Sequence, residues 1–280
     1  MRIIADSSSN VTRIEGVDFF SIPVTIQLGD KSYIDTPALH VPDLLQDMEA
    51  YSGPAGTACL SIVDWLDAFG DDDEIFVVTV TGTLSGCYNT AVIAAREYME
   101  EHPDRHVEVL DSLSAGPQSA LLAEHFADLV KSGIPFREAC VQIREYHKLT
   151  RLVFMFFSLD NIARNGRISP ALARLVSKLH ITILGKGSTD GKLEPQNKCR
   201  GRVRGMEQLW KNMKACGYDG GKALIHHTEN IETASELRNM ILSEYPDSNV
   251  QIGENRGICA FYSERGGVLI GFEINPTKRK

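Results

Sequence analysis

Along most of this chain, short apolar runs rich in β-branched residues alternate with longer segments whose apolar residues recur at helical spacing. That alternation constrains the fold more than any other feature. Strands separated by helices form βα units and a largely parallel sheet. Arg2 to Ala5 and Glu74 to Thr81 read as buried strands, and His106 to Leu110 as another strand. Phe19 to Leu28 is a further extended run, broken at Pro23. Helical spacing covers Ser61 to Phe69, with Ile62, Trp65, Leu66 and Phe69 on one stripe, and Leu84 to Met99. Two more helices are predicted near Pro117 to Lys131 and Pro135 to Leu149, each with proline at its start, where the missing N–H costs nothing.

After Arg151 the texture changes. Leu152 to Phe157 is a strongly apolar strand, and Ile181 to Leu184 and Ala223 to His226 read as others. Val250 to Gly253, Ile258 to Tyr262 and Val268 to Ile274 look like closing strands. Asn165-Gly166 signals a turn, and Ser169-Pro170 opens a helix as N-cap and first helical residue. Gly205 to Ala215 and Ile231 to Tyr245 are helical. The expected boundary lies near residue 150. Residues 1–150 would form a three-layer α/β/α domain on a parallel sheet, and residues 151–280 an α/β domain with a mixed sheet.

Composition narrows the function classes. The 280 residues are 43% hydrophobic and 24% charged, with a net charge of −8. A chain of that sign has no general attraction to nucleic acid or to an anionic membrane. No stretch approaches the roughly 20 apolar residues of a transmembrane helix. The N-terminus runs straight into a strand without a signal-peptide core, so a cytoplasmic protein is expected. Cys59, Cys87, Cys140, Cys199, Cys216 and Cys259 are scattered, with no C-x-x-C pair and no histidine at zinc spacing. They read as reduced, mostly buried thiols, and no metal or cofactor is expected. His226-His227 reads as a surface or loop pair, Asp71 to Glu74 as a solvated acidic turn, and Trp65 and Trp210 as core. Lys198, Arg200, Arg202 and Arg204 form a basic strip suited either to solvent or to an anionic partner.

Three polar clusters stand where strands of the first half end: Asp6 to Ser9, Thr81 to Gly86 and Asp111 to Gly116. Ligands of open parallel sheets bind beyond the carboxyl ends of the strands, although each cluster could equally be a helix cap. In Gly82-Thr83-Leu84-Ser85-Gly86 the glycines allow close backbone approach, and Thr83 and Ser85 offer hydroxyls beside a helix start. Together these make a seat for a small anion. The loop is neither a Walker A loop nor a dinucleotide fingerprint, and the spacing is not that of a nucleophile elbow. In the Gly53 to Ser61 stretch, Ser61 is placed to cap the following helix, whereas Thr57 has no capping duty and its hydroxyl is free for a ligand. A small-molecule phosphotransferase or kinase subunit using the Gly82–Gly86 loop for phosphate is the alternative to a binding protein. An acyl hydrolase with Ser85 as nucleophile would need a histidine that no motif supplies.

These motifs, in this order, resemble the DegV family of bacterial fatty-acid-binding proteins. The resemblance rests on Ile3-Ile4-Ala5-Asp6-Ser7-Ser8-Ser9-Asn10, on Thr57 followed by Ser61, and on Leu84-Ser85-Gly86-x-Tyr88-Asn89-x-Ala91. Asp111-Ser112, Asn165-Gly166-Arg167-Ile168-Ser169 and the basic stretch Lys198 to Arg204 complete it. It implies a two-domain fold holding a long-chain fatty acid such as palmitate between the domains. It also implies a carrier that catalyses nothing alone and presents the carboxylate to a separate ATP-dependent fatty acid kinase. On this resemblance Thr57 and Ser85 hydrogen-bond the carboxylate, with Ser61 a further candidate, and Arg167 lies near the pocket mouth. The chain departs from the family in two places. The usual Thr-Ser-Gln-Pro-Ser is Thr57-Ala58-Cys59-Leu60-Ser61, and the histidine of the C-terminal His-Thr-Gly-Pro-Gly motif is Tyr262. A phenol can donate a hydrogen bond, but it lacks the charge change of imidazole near neutrality.

A lipid site of this kind is physically consistent. A carboxylate in an apolar tunnel must be hydrogen-bonded, which hydroxyls and helix-start N–H groups can do without a buried cation. Each such bond contributes roughly 1.5–3 kcal/mol, and the tail about 0.8 kcal/mol per buried CH₂. Phe154-Met155-Phe156-Phe157 offers apolar surface, either as tunnel wall or as plain core.

Overall fold

The computed structural model describes residues 1–275. Three sheets are present. A four-stranded parallel sheet runs in the order β2 (Asp18–Ile22), β1 (Arg2–Asp6), β6 (Glu74–Thr79), β7 (His106–Asp111). A six-stranded mixed sheet runs β10 (Leu193–Cys199), β9 (Thr182–Gly187), β8 (Thr150–Phe156), β13 (Val268–Ile274), β11 (Tyr218–His227), β12 (Val250–Glu254). Its strand pairs are antiparallel except β11 with β12. A small antiparallel sheet joins β4 (Lys31–Ile34), β3 (Thr25–Leu28) and β5 (Ala55–Ala58).

The helices layer these sheets. In the parallel sheet Ile4, Ile75 and Val77 point to one side, toward α2 (Ile62–Phe69) and α3 (Cys87–Glu101). Ile3, Ala5, Phe76 and Val78 point to the other, toward α4 (Pro117–Lys131) and α5 (Phe136–His147). This is the period-2 division expected of strands covered on both faces. The mixed sheet buries Val153, Met155, Ile225, Ile270 and Phe272 under α8 (Arg202–Ala215) and α9 (Ile231–Glu244). Its opposite face receives α4, whose N-terminus lies directly on β13. A side chain at Gly271 would come within 2.5 Å of the Pro117 and Gln118 backbone. Thus α4 touches both large sheets and is buried along most of its length. Trp65 and Trp210 are core residues, as the helical spacing predicts.

Several local readings need correction. The run Phe19 to Leu28 is two strands in two sheets. Pro23 has no N–H for a ladder, and the next N–H, that of Val24, donates to the Ser7 hydroxyl at 3.1 Å. The helix expected from Leu84 begins at Cys87, because the Leu84 and Ser85 N–H groups both turn back to the Thr81 carbonyl. Ile258 to Tyr262 is not a strand but most of helix α10 (Gly257–Ser263). A five-residue apolar run suits either structure, and tertiary contacts decide it. The helix α1 (Val41–Ala50) and strands β4, β5 and β10 carry no strong local signal; β5, Ala-Gly-Thr-Ala, is held by pairing with β3.

Candidate functional site

The carboxyl ends of β1 and β6 and the N-terminal approach to α4 converge on one narrow cleft facing the mixed sheet. Its cavity volume is about 90 Å³. Its floor is apolar, made by Leu152 and Phe156 of β8, Leu193 of β10 and Leu269 of β13. Its opposite wall is Asp6, Ser8, Val80, Leu84, Ser85, Cys87 and Ala115, so each of the three strand exits contributes. Strand β5 and helix α10 close the rim with Thr57, Ala58, Ile258, Cys259 and Tyr262.

Thr57, Ser85, Arg167 and Tyr262 all line this cleft. Thr57 Oγ1 and the Tyr262 hydroxyl lie 2.8 Å apart. The Arg167 guanidinium sits 5.6 Å from the centre of the Tyr262 ring. Its Nε donates to the Leu84 carbonyl at 2.9 Å, and a terminal nitrogen donates to the Asn165 carbonyl at 2.7 Å. Asn165 in turn donates to the Ala55 carbonyl at 3.2 Å. The turn after α6 (Asp160–Arg164) therefore clamps three separate segments, those bearing Thr57, Ser85 and Tyr262. Arg167, expected near the pocket mouth, is among the residues that line the cleft. Asn165, quoted above only as part of a motif, emerges as its bracket.

Ser61 does not line the cleft. Its hydroxyl accepts from the Asp64 N–H at 3.2 Å and its own N–H donates to the Asp64 carboxylate at 2.7 Å, a complete capping box for α2. Thr83 is spent likewise, donating to the Gly191 carbonyl at 2.6 Å. The Gly82 N–H donates to Asp111 at 3.1 Å. A carboxylate thus already occupies the backbone donor that a phosphate would need there. Ser85 keeps its hydroxyl near Cys87, donating to the thiol sulfur at 3.1 Å and accepting from the Cys87 N–H at 3.3 Å.

Helix α10 carries Tyr262, and its position is set from far along the chain. Asp35, fully buried, accepts from the Gly257 and Ile258 N–H groups at 2.9 and 3.1 Å. The Arg256 guanidinium lies 3.6 Å from the same carboxylate. Burial pushes the Asp35 carboxyl up, opposed by Arg256 and these N–H donors. Asn10, in the left-handed conformation, accepts from the Arg256 N–H at 2.9 Å and donates to Asn255 at 3.0 Å. Asp6 accepts from the Val80 N–H at 2.6 Å and from Ser8, and burial raises its pKa. Neither Asp35 nor Arg256 carries a motif that could have signalled this role.

The remaining sequence candidates resolve as follows. His226 and His227 are not a surface or loop pair. They lie within β11, an interior strand flanked by β13 and β12, and burial lowers the pKa of both, His226 to about 4. The six cysteines are free thiols, but only Cys87, Cys140 and Cys259 are buried, and Cys59 is exposed. Asp72 is not simply solvated: it pairs with the N-terminal amine at 3.0 Å and with Arg2 at 3.3 Å. In the basic strip Arg202 pairs with Glu236 at 3.1 Å. Among the described residues no helix is long and apolar enough to cross a membrane, and no cluster of acidic, histidine and cysteine side chains could hold a metal ion.

Comparison with known proteins bears on this geometry. The family described as "Uncharacterised protein, DegV family" matches residues 1–274. A DegV domain-containing protein of Streptococcus pneumoniae is 36% identical, over 98% of this chain and 99% of its own length. A DegV family protein from Eubacterium eligens, solved loaded with heptadecanoic acid, superposes with a TM-score of 0.95. It is 38% identical and covers 98% of this chain and 99% of its own. The fatty acid kinase B3 protein of Streptococcus pneumoniae, solved loaded with linoleic acid, also gives 0.95, at 36% identity over 98% and 99% of the two chains. The parallel sheet, the mixed sheet and the layers between them are the architecture of those structures, and this chain belongs to the DegV family.

Proposed function

We propose that this protein binds one long-chain fatty acid in the cleft and presents its carboxylate to a partner fatty acid kinase. The observation that carries the reading is a cleft with an apolar floor that ends at paired hydroxyls, Thr57 and Tyr262, beside Ser85. The acyl chain lies along Leu152, Phe156, Leu193 and Leu269. Its burial drives affinity at about 0.8 kcal/mol per CH₂. Thr57 and Ser85 donate to the carboxylate, Tyr262 adds a third hydroxyl, and Arg167 supplies positive charge at the mouth. The solved relatives loaded with heptadecanoic and linoleic acids support this ligand class, and the kinase-B3 relative supports the partner. On this reading residues 1–150 and 151–280 act as two domains gripping the lipid, Ser61 serves the fold alone, and the protein is a cytoplasmic carrier without catalysis of its own. The phosphotransferase alternative is disfavoured because Asp111 holds the Gly82 N–H.

Protein purified from a bacterial host should release a long-chain fatty acid detectable by mass spectrometry. The double variant Thr57→Val, Ser85→Ala should bind palmitate at least about tenfold more weakly, the worth of one charge-assisted hydrogen bond. Lipid-free protein that takes up no palmitate, or a double variant with native affinity, would count against the reading.

A further inference from the structure

Two thiols, Cys87 in the cleft wall and Cys59 against it, stand in a repeated arrangement. Cys59 follows Thr57 by two residues, and Cys87 follows Ser85 by two residues. Their sulfur atoms lie 3.7 Å apart although they come from different elements, the loop after β5 and the first turn of α3. Cys59 is exposed, whereas Cys87 is 1% exposed and shares the Ser85 hydroxyl. Gly86 allows the approach, because a side chain there would stand 3.1 Å from the Cys59 sulfur. Cys59 also occupies the position where the family motif carries glutamine.

We propose that Cys59 and Cys87 are a peroxide-oxidisable dithiol whose disulfide form disables the adjoining head-group seat. The disulfide stands on the sulfur geometry; its effect on ligand rests on the fatty-acid reading. The chemistry balances with a hydroperoxide as oxidant. The Cys59 thiolate attacks one peroxide oxygen and the O–O bond breaks. The other oxygen leaves with a proton, as water when hydrogen peroxide is used, and Cys59 becomes a sulfenic acid. The Cys87 sulfur then attacks the Cys59 sulfur, the S–O bond breaks, and hydroxide leaves with the Cys87 proton as a second water. The dithiol loses two electrons and two protons, and the peroxide is reduced.

Roles are divided by environment. The Cys87 thiol, with help from the Ser85 and Thr90 hydroxyls, stabilises the Cys59 thiolate and lowers its pKa to about 6. The Cys87 thiol is pushed up by that same contact and by burial, so it stays protonated as the resolving partner. Bond formation must bring the sulfurs from 3.7 Å to about 2.05 Å. That movement draws the Thr57-bearing segment against the Ser85-bearing turn and takes from Ser85 the thiol it now contacts. On the fatty-acid reading this displaces both hydroxyls from the carboxylate they hold.

The test uses the full chain, reduced with dithiothreitol and then exposed to hydrogen peroxide. Peptide mapping without reductant should find residues 59 and 87 in one linked peptide, lighter by two hydrogen atoms. Palmitate affinity should fall about tenfold, one charge-assisted bond's worth, and return with dithiothreitol. Cys59→Ala should bind palmitate like the reduced protein and ignore peroxide. Consumption of the Cys59 thiol without a 59–87 link overturns the proposal, as does a linked protein with unchanged affinity. Reduced protein that binds no palmitate overturns the fatty-acid reading instead, and the linked peptide still decides the disulfide.

Discussion

Thr57 Oγ1 and the Tyr262 hydroxyl meet at 2.8 Å across 205 residues of sequence, tying the small sheet to helix α10 at the rim of the cleft. The resemblance puts Tyr262 where the family motif has histidine, so a hydroxyl, not an imidazole, meets Thr57 here.

Tyr262→Phe keeps the ring under Arg167 but removes that hydroxyl. Titration calorimetry with palmitate should show about tenfold weaker binding, the worth of one hydrogen bond to a charged group. The melting temperature should change little, because the ring still packs. Native affinity in the variant would mean that the carboxylate does not reach Tyr262.

Asp35 anchors α10 through two N–H groups and the Arg256 guanidinium. Asp35→Ala leaves that cation mostly buried without its counter-charge, which typically costs about 3–5 kcal/mol. Urea denaturation should register a loss of that order, and palmitate binding should fall because Tyr262 moves with its helix. A stability loss below about 1 kcal/mol would exclude Asp35 as the anchor.

Acid should destabilise the fold through His226. Burial holds its pKa near 4, whereas an unfolded histidine titrates near 6.5. The folded state therefore binds fewer protons, and stability falls as pH drops from about 6.5 toward 4. The raised Asp6 and Asp35 act with the opposite sign, losing stability as pH rises from the unfolded carboxylate value. His226→Gln should shrink the drop in melting temperature between pH 7 and pH 5. An identical drop in both proteins would remove His226 from the account.

Alkylation should single out Cys59. Its rate with iodoacetamide should climb through about pH 6 and level off by about pH 8, because only the thiolate reacts. Cys140, pushed to about 12 by burial, should stay unlabelled there. Peptide mass spectrometry reads both rates. A Cys59 rate still rising tenfold per pH unit above pH 8 would contradict the lowered value.

What the sequence reveals depends on how local the cause is. Strands β1, β6, β8 and β13 are legible because each is a largely apolar run buried in its sheet. The convergence of Asp6, Ser85 and Ala115 follows from a general property of parallel sheets and is legible too. Helix α10 is not, since Ile258 to Tyr262 suits either periodicity, and the deciding carboxylate, Asp35, lies 223 residues from Ile258. Strand β5 is invisible because Ala55-Gly56-Thr57-Ala58 becomes a strand only by pairing with β3. Thr83 and Ser85 look alike in their loop, yet one is claimed by the Gly191 carbonyl and the other faces the cleft. No periodicity could separate them.

Helix α4 works as a party wall. Phe126 and Ala127 press on the parallel sheet, while Pro117 and Gln118 lie against Gly271 of the mixed sheet. Swinging the two sheets apart would wet one side of that wall, at about 1.5–3 kcal/mol for each large apolar side chain exposed. A guest molecule must therefore come and go past the doorposts, β5, α10 and the Asn165–Arg167 turn, while the house keeps its frame.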